Sequence, residues 1–297
     1  MVLLGHSLCA QSVELELEGS DVVAVDTLTE ATDHSAALAD YSLFTKTEGS
    51  SFIAILVYVD DILIVSNDMQ AVESLKSLLN EKFKLKDPGK LKYFLGLEVA
   101  RSPAGISLCQ RKYSLKILQD AGLLTSKPLT FPTEQNIKLS KDVGDLLPGP
   151  TVYRRLVGCL LYHTLTRPDL CYSVNRLSQY MAKPRQPHLQ VAYRILQYVK
   201  GTFGHRFFFQ ANNTLSLKAF IDSNWASCPN NRRSTSGYCV FLENSFVSCK
   251  TKKQTIVSRS FVETEYRSLA STTCDIIWFL TLLSDFSVSH SHSTQLL

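Results

Sequence analysis

At 297 residues the chain is long enough for two domains and a sizeable core. Hydrophobic residues make up 45% and charged residues 20%, a balance that excludes a disordered polymer, and no apolar run approaches the roughly 18–20 residues of a membrane span. The net charge of +4 hides a segregation: residues 1–80 carry 2 Lys/Arg against 13 Asp/Glu, residues 81–210 carry 21 against 8, and residues 211–297 carry 8 against 6. A basic middle block fits either a polyanionic partner, nucleic acid being the commonest, or a solvated lysine-rich surface.

Residues 1–38 show no clear periodicity. Met1–Ala10 is mildly apolar but has no basic leader, so it does not read as a signal peptide. Ser51–Val59 is nearly all apolar and β-rich, Asp60-Asp61 interrupts it, and Ile62–Val65 resumes it, which predicts a hairpin with the acids at a tight turn. The spacing of Val72, Leu75, Leu78, Leu79 and Phe83 predicts an amphipathic helix capped by Asp68 and broken by Asp87-Pro88-Gly89. A strand over Leu91–Ala100, a turn at Pro103–Gly105 and a strand over Ile106–Cys109 follow, then a helix over Lys112–Ala121 that ends at Gly122. A polar linker holds Pro128, Pro132, Pro148 and Pro150. Two or three helices are expected over 151–200, with Tyr153, Leu156, Val157, Leu160 and Leu161 on one face. Strands return at Leu217–Ile221, Ser236–Leu242 and Phe246–Lys250, before a helix over Val262–Leu283.

The eight cysteines are scattered, with no C-x-x-C pair and no Cys/His cluster at zinc-ligand spacing. They read as reduced, mostly buried thiols of an intracellular protein whose compartment stays open. The overall order fits an α+β protein of two domains joined by a helical segment.

Two adjacent Asp residues inside an apolar hairpin are costly unless something needs them. Asp favours turns, so a plain exposed turn is one explanation. The other is a divalent cation, since Mg²⁺ takes hard carboxylate oxygens and two such ions can drive phosphoryl transfer. The full string favours the second. Tyr58-Val59-Asp60-Asp61, entered by Phe52–Val57 and left by Ile62–Ile64, resembles the active-site hairpin of reverse transcriptases. With Ala39–Thr45 before it and Ser66–Asp68 after it, the string is similar to the copia-type LTR retrotransposons in particular.

The resemblance runs over roughly residues 39–297. It includes Leu85–Leu91, Tyr93–Val99, Gln110–Tyr113, Tyr153–Gly158, Leu165–Asp169 and Ala192–Gly201. In the last third it includes Phe220–Ala226, Arg232–Tyr238, Lys252–Gln254, Ser258–Ser260 and Glu263–Tyr266. It implies a divergent segment at 1–38, a reverse-transcriptase palm with primer-grip hairpin at 39–110, thumb and connection helices at 111–212, and a partial RNase H-like sheet with one helix at 213–297. It further implies Mg²⁺ or Mn²⁺ at Asp60 and Asp61, with Asp222 and Glu265 as ligands of a second centre and Glu263 as a less favoured one. Tyr58, Val59, Phe94, Leu95, Gly96, Arg111, Lys112, Arg154 and Arg155 would face a primer–template duplex or RNA–DNA hybrid. Duplex contacts of this kind give affinity without sequence choice, and dNTP is the substrate in the intact family.

Against the family pattern, residues 1–38 show no strand bearing the upstream palm Asp; Asp21, Asp26 and Asp33 stand in the wrong context. The later RNase H acids are also absent, Asn224 stands where Asp is common, and Cys249 stands where Trp is common. Three readings follow. The chain is a polymerase fragment inactive by itself, an enzyme completed by a partner chain, or a non-catalytic nucleic-acid-binding module that keeps the basic thumb. Oligomeric state stays open.

Overall fold

The computed structural model describes residues 9–16, 34–59, 61–134, 137, 139–211, 215–290 and 293–297. The first sheet contains β1 (Cys9–Glu16), β2 (Ser35–Ala36), β3 (Leu43–Glu48), β4 (Ser51–Tyr58), β5 (Asp61–Ser66) and β6 (Lys84–Lys90). Its order is β2-β3-β4-β5-β1-β6, with all pairs antiparallel. Residues 1–38, which show no periodicity, thus supply a strand that enters between β5 and β6.

The hairpin β4–β5 is apolar on both faces because both are covered, which is why its sequence runs continuously rather than alternating. Helix α1 (Met69–Lys82) lays Val72, Leu75 and Leu79 on Ile53, Ile55, Val57, Ile62 and Ile64. Asp68 caps this helix, accepting from the amides of Gln70 and Ala71. On the opposite face Ala54, Leu63 and Val65 join Phe94, Val99, Leu108, Phe209 and Phe286.

Those last residues come from a second sheet and from the end of the final helix. The second sheet runs β10-β9-β8-β7, built from β7 (Tyr93–Phe94), β8 (Leu97–Ser102), β9 (Gly105–Cys109) and β10 (Phe207–Gln210). This corrects the expectation of one strand over Leu91–Ala100. Leu95 and Gly96 take φ of +47° and +77°, so the segment doubles back as a two-residue hairpin. Strand β10 has no counterpart in the sequence reading; it brings residues beyond the helical block back to pair with β9.

The helical unit comprises α2 (Arg111–Asp120), α3 (Pro150–His163), α4 (Cys171–Ser178) and α5 (Gln186–Thr202), with a 3-10 turn at Pro168–Leu170. Tyr153, Leu156, Val157 and Leu160 are buried against Val174, Leu177, Ile195 and Val199. Leu161, expected on the same face, is 39% exposed, because the fifth apolar position exceeds the width of the buried stripe. The third sheet runs β13-β12-β11-β14, from β11 (Leu217–Asn224), β12 (Thr235–Leu242), β13 (Ser245–Lys253) and β14 (Gln295–Leu296), the last parallel to β11. Helix α6 (Phe261–Asp285) covers one face through Ile276 and Leu283. Its far end reaches the first sheet. Trp278 Nε1 donates to the Ala39 carbonyl at 2.8 Å, Asp285 accepts from the Ala39 amide at 2.9 Å, and Phe286 meets Phe52 edge-on at 6.4 Å.

A buried polar cluster ties α2 to α3. His163 Nδ1 lies 3.0 Å from Gln110 Oε1 and Nε2 lies 3.1 Å from Ser114 Oγ, while the Thr166 hydroxyl donates to the same Gln110 oxygen at 2.8 Å. Burial, reinforced by the charge of Arg167, holds the imidazole down at about 4 against an ordinary 6.5. The unfolded chain therefore takes up a proton below pH 6.5 while the folded chain does not until about pH 4. Stability should fall across that window by up to about 3 kcal/mol. Urea denaturation at stepped pH measures this, and His163→Gln should flatten the slope; an equally steep decline in that variant would assign it elsewhere.

Candidate functional site

The tip of β4–β5 is set by strand pairing. Tyr58 stands opposite Asp61, and Val59 occupies the turn with φ of +51°, a conformation rare for a β-branched residue. Asp60 lies outside the described residues. Tyr58 and Val59 are 54% and 52% exposed, an apolar surface at the end of an otherwise buried hairpin. Across the other edge of β5, β1 places Glu14 at the register position opposite Asp61.

The β7–β8 hairpin approaches the same region through α3. The Tyr162 hydroxyl donates to the Leu95 carbonyl, and the Tyr162 ring lies so near Gly96 that a Cβ there would meet it at 3.4 Å. Burial raises the Tyr162 hydroxyl's pKa, and the neighbouring hydroxyls of Tyr58 and Tyr93 raise it further. Tyr162 therefore ties α3 to the second hairpin, with Tyr58 of the acidic hairpin near enough to act on its hydroxyl. No spacing rule marks it, since it falls outside the buried stripe of α3. Phe94 is buried, with Leu95 and Gly96 at the turn beside it.

The basic residues singled out in the sequence are partly engaged. Lys112 Nζ sits 5.3 Å above the Tyr93 ring, and its amide donates to Glu98 at 2.6 Å. Arg111 sits 5.3 Å above Phe203. Arg154 donates to the carbonyls of Met181 and Ala182 at 2.8 and 3.3 Å. Arg155 is exposed.

In the third sheet Asp222 lies opposite Gly237 and is exposed, whereas its neighbour Ser223 is buried on the helix side. The Ser268 hydroxyl on α6 donates to the Asp222 carbonyl at 3.4 Å, and Glu265 sits half-buried three residues earlier on that helix. Strand and helix are thus neighbours at this level. Among the described residues no hydrogen bond joins the two carboxylates, and no group of three His, Cys, Asp or Glu side chains is placed to hold a metal ion.

Glu263 has another task. Ser260 caps α6 by accepting from the Glu263 amide at 3.1 Å, and the Glu263 carboxylate accepts from the Arg259 amide and pairs with Arg267, each at 2.8 Å. Those contacts, the Arg259 amide first, hold its pKa below the usual carboxylate value. A polar network beside it escaped the sequence reading as a site. Gln254 donates to the Ser236 hydroxyl at 2.9 Å and the Thr264 carbonyl at 3.1 Å, and accepts from Ser258 at 3.0 Å. Ser234 reaches Thr264 at 3.1 Å, and Trp225 donates to the Ser258 carbonyl at 3.1 Å. The matched strings of the last third are therefore neighbours in space.

Residues 23–135 match the family described as reverse transcriptase (RNA-dependent DNA polymerase). Over 256 residues, 86% of this chain, the sequence is 43% identical to the retrovirus-related Pol polyprotein from transposon RE2 of Arabidopsis thaliana. It is 30% identical over 256 residues to the corresponding polyprotein from transposon TNT 1-94 of Nicotiana tabacum. It is also 42% identical over 225 residues to the uncharacterized mitochondrial protein AtMg00810 of Arabidopsis thaliana, covering 75% of this chain and 93% of that protein. The chain belongs to the copia-type retrotransposon Pol family, through its reverse-transcriptase region. It spans 18% of the RE2 polyprotein and 19% of the tobacco one.

The Tyr162 contact can be tested directly. Tyr162→Phe leaves the Leu95 carbonyl without its donor and should lower stability by about 1 kcal/mol with an unchanged denaturant slope. Equal midpoints for the two proteins in urea would mean the hydroxyl contributes nothing.

Proposed function

We propose that this chain is a primer–template-binding piece of a copia-type RNA-directed DNA polymerase, with an RNase H-type unit at 213–297, and that it does not polymerise DNA as a single chain. The observation that carries the reading is the doubly buried hairpin that ends in Tyr58 and Val59 and resumes at Asp61, with the β7–β8 hairpin fastened to α3 by Tyr162. That pairing of elements suits a nucleic-acid 3′ end lying over Tyr58 and Val59, with Phe94, Leu95 and Gly96 supporting the strand. Segments 39–110 and 111–212 would serve as palm and thumb, with β10 tying the end of the thumb block back to the primer-grip sheet.

A polymerase of this family would work with Mg²⁺ or Mn²⁺, which supplies charge stabilisation for phosphoryl transfer. Asp60 and Asp61 are the residues that would hold it, and the reading gives this single chain the roles of binding and orientation because residues 1–38 lack the family's upstream acid-bearing string. The RNase H assignment rests on the matched strings of the last third; β11 and α6, which carry Asp222 and Glu265, are neighbours, with Asp222 on the strand face turned away from α6. One observation favours a second reading, in which catalysis survives: β1 sets an acid, Glu14, opposite Asp61.

Primer extension on an RNA template with a DNA primer, in Mg²⁺ and in Mn²⁺, separates the two. No product above an Asp60→Asn control is expected. Product that disappears in both Asp60→Asn and Glu14→Gln would establish β1 as the acid-bearing strand and overturn the inactive reading. Binding to an RNA–DNA hybrid should weaken at least about tenfold between 50 and 200 mM salt, because phosphate contacts release counterions. A chain that fails to bind the hybrid at the lower salt would remove the binding role as well.

A further inference from the structure

The fold gathers three of the cysteines that the sequence scatters. Cys239 on β12 and Cys249 on β13 are register partners, and their Sγ atoms lie 3.3 Å apart. Cys171, the first residue of α4, lies against the same point, its Sγ 3.8 Å from the Cys249 carbonyl oxygen. One turn along α4, Asn175 donates to the Thr251 carbonyl at 2.7 Å, and Gln179 accepts from Lys253 at 2.9 Å. The thiols therefore sit at the seam between the helical unit and the third sheet. All three are free thiols, with Cys171 buried and the other two half-buried.

We propose that Cys239 and Cys249 are a site of reversible oxidation, closing to a cross-strand disulfide when the protein meets a low-molecular-weight disulfide such as glutathione disulfide. The backbone already suits the bond. A disulfide spans Cα atoms roughly 4.4–6.8 Å apart, and directly opposite residues of antiparallel strands are about 4.5–5.5 Å apart. Closure needs side-chain rotation rather than strand movement.

The exchange balances in two steps. The Cys249 thiolate attacks one sulfur of the small disulfide, whose S–S bond breaks, and the first small thiol leaves with one proton. Cys239 then attacks the Cys249 sulfur of the mixed disulfide and releases the second small thiol with the other proton. The two protein thiols lose two electrons and the small disulfide gains them. Contact with the Cys171 thiol, with burial, pushes the Cys249 thiol up to about 12, and contact with Cys249 pushes Cys239 higher. Thiolate is therefore scarce at neutral pH, which slows the exchange.

The test uses the full chain, incubated with glutathione disulfide, blocked with iodoacetamide and digested without reductant. Labelling of Cys239 and Cys249 should be lost together, with a joined peptide that dithiothreitol separates. The oxidised protein should melt several degrees above the reduced one, and Cys239→Ser should abolish both the joined peptide and the shift. Full labelling of both cysteines after oxidation would overturn the proposal, as would a peptide joining Cys249 to Cys171 instead.

Discussion

Burial of β4 and β5 on both faces is the constraint around which the other units are arranged. A two-sided apolar hairpin is insoluble by itself, so each face recruits a cover. The face bearing Ile53, Ile55, Ile62 and Ile64 takes α1, which follows immediately in sequence. The face bearing Ala54, Leu63 and Val65 takes elements from far along the chain: Phe94 and Val99, Phe209, and Phe286 beyond α6. The second cover is what joins the three units. Because it includes the end of α6, the last third of the chain contributes to the environment of the acidic hairpin without carrying any residue of it.

This asymmetry explains what was legible in the sequence. The hairpin, α1 and the helices over 150–202 follow from periodicity and caps alone, and their expected bounds agree with the observed elements to within a few residues. Strands β1, β2, β3, β6, β10 and β14 did not emerge; β1, β10 and β14 are short or weakly patterned segments whose pairing partners lie far away in sequence, and β6 runs through Asp87-Pro88-Gly89, which reads as a break. Strand propensity depends on such partners. Periodicity reads one strand through Leu95-Gly96, because Leu95 adopts a positive φ that its side chain does not announce; only the resemblance, which makes Tyr93–Val99 a primer-grip hairpin, implies the doubling back.

The candidate sites divide in the same way. Residues contiguous in a motif, such as Tyr58 to Asp61, were legible as a string. Residues that act by convergence were not. Tyr162 fastens the β7–β8 hairpin from a position outside the buried stripe of α3, and Gln254 gathers Ser236, Ser258 and Thr264 into one network. Cys171, Cys239 and Cys249 looked unrelated until register and docking brought them together. Glu263 shows the converse, where a less favoured ligand in sequence is engaged in space by the Arg259 amide and Arg267 at the start of α6.

Charge was legible in amount but not in use. The basic block spends much of its hydrogen-bonding capacity internally. Arg167 is buried against Asp169 at 2.6 Å, Arg176 donates to the Ile137 carbonyl, Arg185 to the Gly144 carbonyl, and Arg194 pairs with Glu134. A guanidinium bound to a neutral carbonyl keeps its full charge, so the long-range field that steers a polyanion survives these contacts. The capacity for direct phosphate contact is reduced, because each such donor must first leave its carbonyl. Affinity for a duplex should therefore rest on residues without such engagements, Arg155 among them, and on the field of the whole block, more than on the count of Lys and Arg.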